Sequence, residues 1–371
     1  MEWYGQAKHD LPESEVVLLL YDFLVPAEVE KQLEQTIRRL AGIRHWKSVV
    51  FIGGNEMTHI MKKRYASSIR DMVSSIGESS FDEIYIARDF VGAGSALVLN
   101  AYPDAMRIIY GDGFGFVGYE SDYFHRRFWS SVVMQSNLRA LVRRAIYGGP
   151  KRFGFNAAVL TVPIDWSGSY LQEMPLLVPD REYAISVLKE CTDQLPDLQA
   201  YCMDMLEGSH DPYLFLLSTL SGGRFMPVAS EIELYVMIVR QVAPEGARVF
   251  LKTHPRCQEH ILTSILKELE PDYRVEIIDD PLFSRMPIEL WAPLIKKCRI
   301  VTVLSSSCIL LAYFYGKETI FTLNESNINK YFYPQWVSYV MKLNTINRES
   351  SYGLKAWNGK SCLWKAPESA L

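Results

Sequence analysis

Four short stretches of this chain carry residue types suited to a phosphorylated or hydroxyl-bearing ligand. Lys252-Thr253-His254-Pro255 closes a β-rich run, Arg248–Thr253, and precedes a helical pattern over 256–269. The proline fixes its own backbone and biases His254 toward an extended conformation. The imidazole therefore stands at the carboxyl edge of a strand, where ligands bind in α/β sheets. Beside Lys252 and Arg256 it suits an anion, as hydrogen-bond donor to phosphate or proton donor to a leaving group. A strand-end histidine also serves simply to cap a turn. Leu304-Ser305-Ser306-Ser307-Cys308 lies at a second strand-to-helix junction. Hydroxyls and N–H groups at a helix N-terminus make an anion site, although serine is equally at home there as a cap.

Two carboxylates complete the set. Tyr110-Gly111-Asp112-Gly113-Phe114-Gly115 ends a strand, and its glycines let the backbone turn sharply and leave Asp112 exposed. Such a carboxylate can act as general base on a sugar hydroxyl; an Asp-Gly turn with no further role has the same sequence. Met286-Pro287-Ile288-Glu289 reads as a helix start with Glu289 near its positive end. That position suits the ribose hydroxyls of a nucleotide as well as plain helix-start chemistry. Several familiar devices are missing: no G-x-G-x-x-G follows the first strand, and there is no phosphate-loop G-x-x-x-x-G-K and no G-x-S-x-G. No strict D-x-D occurs either, Glu120-Ser121-Asp122 being the nearest approach. Without carboxylates at metal-ligand spacing, metal-dependent sugar transfer is disfavoured and no metal ligands are assigned.

The elements that must position these residues alternate between strand and helix. In the first half, short apolar runs at Val16–Phe23, Ser48–Ile52, Glu83–Ala87 and Met106–Tyr110 are separated by helical patterns such as Ala27–Leu40 and Gly94–Asn100. Buried, non-alternating strands of this kind predict a parallel sheet covered on both faces. The second half predicts strands at Tyr213–Ser218, Arg248–Thr253, Arg274–Ile278, Ile300–Leu304 and Thr319–Thr322, with helices over Ser230–Val242, 256–269, Pro287–Lys297 and Ser306–Tyr315. Ile261, Leu262, Ile265, Leu266 and Leu269 share one helical face, as in a helix lying on a sheet. The expectation is an α/β protein with two Rossmann-like domains whose parallel sheets face a central cleft. Residues 1–180 would bind the acceptor, 181–335 would bind a nucleotide, and the tail 336–371 would pack back on the first domain. The join is expected in the proline-containing stretch 175–212. Acceptor contacts are expected at Gly53, Gly54 and Asn55, after the second strand, and at Gly113.

A length of 371 residues is comfortable for two such domains. Hydrophobic residues make up 49% and charged residues 22%, which is globular composition. A net charge of −4 gives no reason to expect nucleic acid as partner. The polar start Met1-Glu2-Trp3-Tyr4 lacks the pattern of a signal peptide, and no apolar run has the length of a membrane span. The 6 cysteines are scattered without a C-x-x-C pair, which suits a reducing compartment, and the expected location is cytoplasmic. Between His125 and Arg152 lie Arg126, Arg127, Arg139, Arg143, Arg144, Lys151 and Arg152, with Phe128 and Trp129 and no acidic residue. This patch is either a solvated face or a surface for an anionic acceptor or for anionic lipid headgroups on the inner side of the cell membrane.

Taken in order, Gly111-Asp112-Gly113, His254-Pro255 and Ser305-Ser306-Ser307 resemble the three motifs of bacterial sialyltransferases of GT-B fold. These include the lipooligosaccharide sialyltransferases and the capsular polysialyltransferases, with D/E-D-G, His-Pro and Ser-Ser/Thr. Pro287 and Glu289 look like the P-x-E element of the same families, and the likeness spans roughly residues 106–325. One departure is Gly111 at the first acidic position. The resemblance implies that Asp112 takes the proton from an acceptor hydroxyl. It further implies that His254, with Lys252 and Pro255, supports the phosphate of departing CMP, that Ser305, Ser306 and Ser307 bind that phosphate, and that Glu289 holds the ribose. The implied partners are CMP-sialic acid and an acceptor glycan or glycolipid, with direct inverting displacement, no metal and no cofactor. A CMP-Kdo or other CMP-sugar transferase and a non-catalytic nucleotide-sugar-binding protein use the same features. A glycerol-phosphate polymerase also shows K-x-H-P but would call for a second active histidine, and His260 lies inside the helix that follows.

Overall fold

The computed structural model describes residues 15–21, 27–63, 65–87, 93–111, 155–163, 174–254 and 257–355. The chain divides into two compact units, with the boundary between Ala184 and Ile185. No helix among the described residues is long and apolar enough to cross a membrane.

Among the described residues the first unit contains two parallel sheets. β1 (Val17–Tyr21) pairs with β2 (Ser48–Ile52), with Val17 opposite Ser48, and α1 (Ala27–Ala41) connects them. After α2 (Gly54–Lys62) and α3 (Tyr65–Ile76) come β3 (Glu83–Ala87), α4 (Ala93–Ala101), β4 (Met106–Gly111), β5 (Ala157–Leu160) and β6 (Leu176–Leu177). The last four strands form a sheet in the order β3-β4-β5-β6, each pair parallel. Four βα units in a single sheet were the expectation. Instead the first two strands pair only with each other among the described residues, and β2 stays half-buried along most of its length.

The second unit is one five-stranded sheet in the order β11-β10-β7-β8-β9, again parallel throughout. Its strands are β7 (Tyr213–Leu216), β8 (Arg248–Lys252), β9 (Arg274–Ile278), β10 (Arg299–Thr302) and β11 (Thr319–Phe321). Numbered within the unit this is 3-2-1-4-5, the Rossmann order, and the direction of strand addition reverses between β7 and β10. The helices are α5 (Arg181–Asp193), α6 (Pro196–Leu206), α7 (Val228–Val242), α8 (Glu259–Leu269), α9 (Ala292–Lys297), α10 (Ser307–Tyr315), α11 (Glu325–Tyr331) and α12 (Pro334–Lys355). Both sheet faces are buried. Phe215, Leu251 and Val301 cluster with Leu234, Ile238 and Ile265 from α7 and α8. The alternate residues Leu214, Phe250 and Ile300, each 0% exposed, turn to the opposite face. Of the apolar stripe on α8, Ile261, Ile265 and Leu269 are the buried members.

One local feature departs from the expected pattern. Residues 287–297 do not form one helix. A 3-10 turn at Ile288–Leu290 precedes α9, which has a proline within its first two positions. Pro293 has no N–H to offer the carbonyl of Glu289, so an α-helix cannot run through both; that carbonyl instead accepts from the Tyr315 hydroxyl. The tail runs as α12 from Pro334 to Lys355, packs on α10 and α11, and buries Val340 and Leu354. Residues 356–371 lie outside the described residues.

Candidate functional site

The site is built on the carboxyl edge of the second sheet. β8 ends in Lys252, and Thr253 and His254 follow, half-buried, without regular structure. The backbone N–H of Leu217 donates to the carbonyl of Lys252 at 3.0 Å, which carries the β7–β8 pairing to the brink of the His254 turn. The carbonyl of His254 accepts from the N–H of Cys257 at 2.8 Å, which closes that turn. Pro255 and Arg256 lie outside the described residues.

On the other side of β7, β10 leads into the serine turn. Thr302 Oγ1 accepts from the N–H of Ser305 at 2.9 Å, and Ser305 Oγ accepts from the N–H of Ser307 at 3.3 Å. Ser306 stands at the N-cap of α10 yet makes no side-chain capping bond. All three serines are half-buried, whereas Cys308, Ile309 and Leu311 behind them are fully buried. The helix is anchored along its length by its apolar body, so the turn in front of it has a fixed floor. Gly316 ends the helix at φ 60, the left-handed conformation that glycine adopts at least cost. The His254 and serine turns thus flank β7, two strand spacings or about 10 Å apart.

Lys252 and Glu289 form the third part. Lys252 is 6% exposed and Glu289 8%. The Lys252 ammonium donates to the carbonyl of Ser284 and lies 5.6 Å from the centre of the Trp291 ring. Burial pulls its pKa down to about 8, and the Glu289 charge opposes that shift. The ammonium therefore ties the end of β8 to segment 284–291 from beneath. That segment is itself held by α6: Gln199 donates to the carbonyl of Leu290 at 3.0 Å, and Tyr201 meets the rings of Phe283 and Trp291. Lys252, expected at the donor, instead faces the Ser284 carbonyl and Trp291, and the sequence pattern does not point to Tyr201, Trp291 or that carbonyl.

In the first unit, β4 ends at Gly111, whose φ is 134. L-residues rarely adopt that conformation, so an acidic residue at this first motif position would be strained. The carbonyl of Gly111 accepts from the N–H of Thr161 at 2.8 Å, which fixes the strand end. Asp112 and Gly113 follow outside the described residues, as do residues 125–152 with their basic patch. Gly53 is buried at the N-cap of α2, Gly54 opens that helix, and Asn55 is exposed. A β-carbon at Gly53 would collide with the carboxylate of Glu30 from α1, so that approach requires glycine or a shifted side chain.

Among the described residues, no group of three or more His, Cys, Asp or Glu side chains could hold a metal ion. Among the described residues, Cys191, Cys202, Cys257, Cys298 and Cys308 form no disulfide. Burial pushes the thiols of Cys202 and Cys298 up to about 12, which makes them inert.

Residues 196–324 match the model of the alpha-2,8-polysialyltransferase family, a stretch that holds His254, Glu289 and all three serines. The match supports an enzyme, a glycosyltransferase of sialyltransferase type. No curated protein matches the chain significantly in sequence. Among solved structures, UDP-GlcNAc 2-epimerase from Methanocaldococcus jannaschii is 9% identical, with 96% of this chain and 97% of that chain covered and a TM-score of 0.42. UDP-GlcNAc 2-epimerase from Neisseria meningitidis bound to UDP-GlcNAc is 10% identical, with 92% and 96% covered and a TM-score of 0.37. A putative UDP-N-acetylglucosamine 2-epimerase from Listeria monocytogenes is 10% identical, with 93% and 91% covered and a TM-score of 0.41. At these values the likenesses say nothing about activity.

Proposed function

We propose that this chain moves sialic acid from CMP-sialic acid to a hydroxyl of an acceptor glycan or glycolipid, by direct inverting displacement without a metal. The observation that carries this reading is the pair of anion-suited turns, His254 after β8 and Ser305–Ser307 after β10, on one sheet edge within the segment matched by the polysialyltransferase family. CMP leaves as a phosphate monoester, so the site needs donors and positive charge more than a strong acid. His254 and the serine hydroxyls supply the donors. Glu289 takes the ribose, and Lys252 acts beneath it by holding segment 284–291 in place. The sugar passes through an oxocarbenium-like state, which leaves alignment of the acceptor and removal of its proton as the remaining tasks. Asp112 takes that proton, with Gly113 and Gly53-Gly54-Asn55 beside the acceptor.

Two finer proposals accompany this reading. The two units follow the GT-B plan of an acceptor half and a donor half. The basic stretch 125–152 brings the enzyme to anionic lipid at the inner face of the cell membrane; failure to co-sediment with anionic vesicles at low salt would refute that contact. The donor itself is tested by CMP release from CMP-sialic acid, CMP-Kdo and CDP-glycerol (for the last, release of CMP on glycerol-phosphate transfer) against a panel of glycans. Release from CMP-sialic acid above the others supports the proposal, and preference for another donor rejects it.

A further inference from the structure

The donor chemistry leaves one buried acid of the second unit unused. Glu231, in the first turn of α7, is 0% exposed. Its carboxylate accepts from the N–H of Leu220 at 2.9 Å, from the N–H of Ser221 at 2.9 Å, and from the Ser221 hydroxyl. One helical turn further along, the Tyr235 hydroxyl accepts from the N–H of Ser218 and donates to its carbonyl, both at 2.7 Å. The segment so gripped is the turn that leaves β7, the central strand. Its next residues are tightly folded: a β-carbon at Gly223 would lie 2.6 Å from the Phe225 ring and 3.1 Å from the Thr219 carbonyl oxygen.

A buried carboxylate is costly unless fully hydrogen-bonded, and packing alone is better served by an apolar side chain. Consecutive N–H groups of a turn, at the positive end of a helix, make a nest for an anion. In an α/β sheet the turn beside the reversal in strand order is where phosphates settle, and the reversal here lies between β7 and β10. In this chain the nest is filled by the chain's own carboxylate. Burial and then the Glu231 charge push the Cys257 thiol up to about 11, and the N–H of Cys257 holds the His254 carbonyl.

We infer that Glu231 is a positioning residue of the donor site, a resident anion that fills the phosphate place at the β7–α7 turn. The phosphate of a CMP donor is thereby directed to the His254 and Ser305–Ser307 turns on either side. This rests on the CMP-donor reading above, but its test separates the two. Thermal unfolding and CMP binding by calorimetry are compared for the wild type, Glu231→Ala and Glu231→Gln, in sodium acetate and in sodium chloride at equal ionic strength. In chloride both variants should bind CMP at least about tenfold more weakly. Acetate, entering the vacated nest, should raise the Tm of Glu231→Ala and restore its CMP affinity. The wild type and Glu231→Gln, whose nests are filled, should not distinguish acetate from chloride. Identical behaviour of Glu231→Ala in the two salts, or wild-type CMP affinity in Glu231→Gln, would overturn the inference. Absence of CMP binding by the wild type would reject the donor reading, while the acetate effect on Tm would still decide the role of Glu231.

Discussion

Beneath the carboxyl edge of the second sheet, the Lys252 ammonium is held almost out of water against the Ser284 carbonyl and the Trp291 face. Its two pH effects have opposite signs. Below pH about 8 the group is protonated in both native and unfolded chains, and the cost of burying the charge is fully present. Between about 8 and 10.5 the native state gives up the proton first and binds fewer protons than the unfolded chain, so this residue's contribution to stability rises with pH. Turnover that needs the charged tether should instead fall as pH passes about 8. From neutral to mildly alkaline pH, the differences in Tm and in kcat between the wild type and Lys252→Met should move in opposite directions. Lys252→Met should remove this contribution from both profiles; unchanged profiles in that variant would contradict the role. His254 is more exposed and touches the donor in this account. His254→Ala should lower kcat by about 10²-fold or more with little change in Tm, and near-normal turnover in a stable variant would remove it from the chemistry.

At the scale of elements, Gly111 gives the sharpest expectation. Its φ of 134 lies where a β-carbon is strained, so Gly111→Ala should cost about 1–3 kcal/mol, read by denaturant unfolding. A neutral or stabilising effect would show that the strand end relaxes. An acidic side chain at this position would meet the same backbone strain. Most of the second sheet was legible, because its strands are short buried runs with clear helical stripes between them; β9 falls on the expected Arg274–Ile278. Less was legible where local signals mislead. The prolines of 175–212 suggest a linker, yet Pro196 opens α6, a first-turn position it tolerates well. Among the described side chains α2 and α3 bury Met57, Ile60, Met72 and Ile76, and neither helix was expected from the sequence. Glu231 was invisible as a functional residue, because an acid in a helix's first turn reads as ordinary dipole chemistry. Only its setting among Leu234, Tyr235 and Ile238 marks it as buried.

At the scale of the whole molecule, the proposed labour is divided between the units. The second supplies His254, Glu289 and the serine turn within the matched segment 196–324; the first supplies Asp112, whose neighbour Gly111 ends β4. A nucleotide-binding protein without transferase activity would need only the second set, so the central claim depends on both acting on one substrate pair. The direct measurement is to incubate the purified chain with CMP-sialic acid and a glycan acceptor in excess EDTA, then follow the acceptor by mass spectrometry and NMR. CMP release should be matched by acceptor gaining sialic acid in α linkage, inverted from the β-linked donor, and transfer should be lost in Asp112→Asn while CMP binding survives. Donor binding without any transfer, transfer that requires added Mg²⁺ or Mn²⁺, or a product with retained configuration would contradict it.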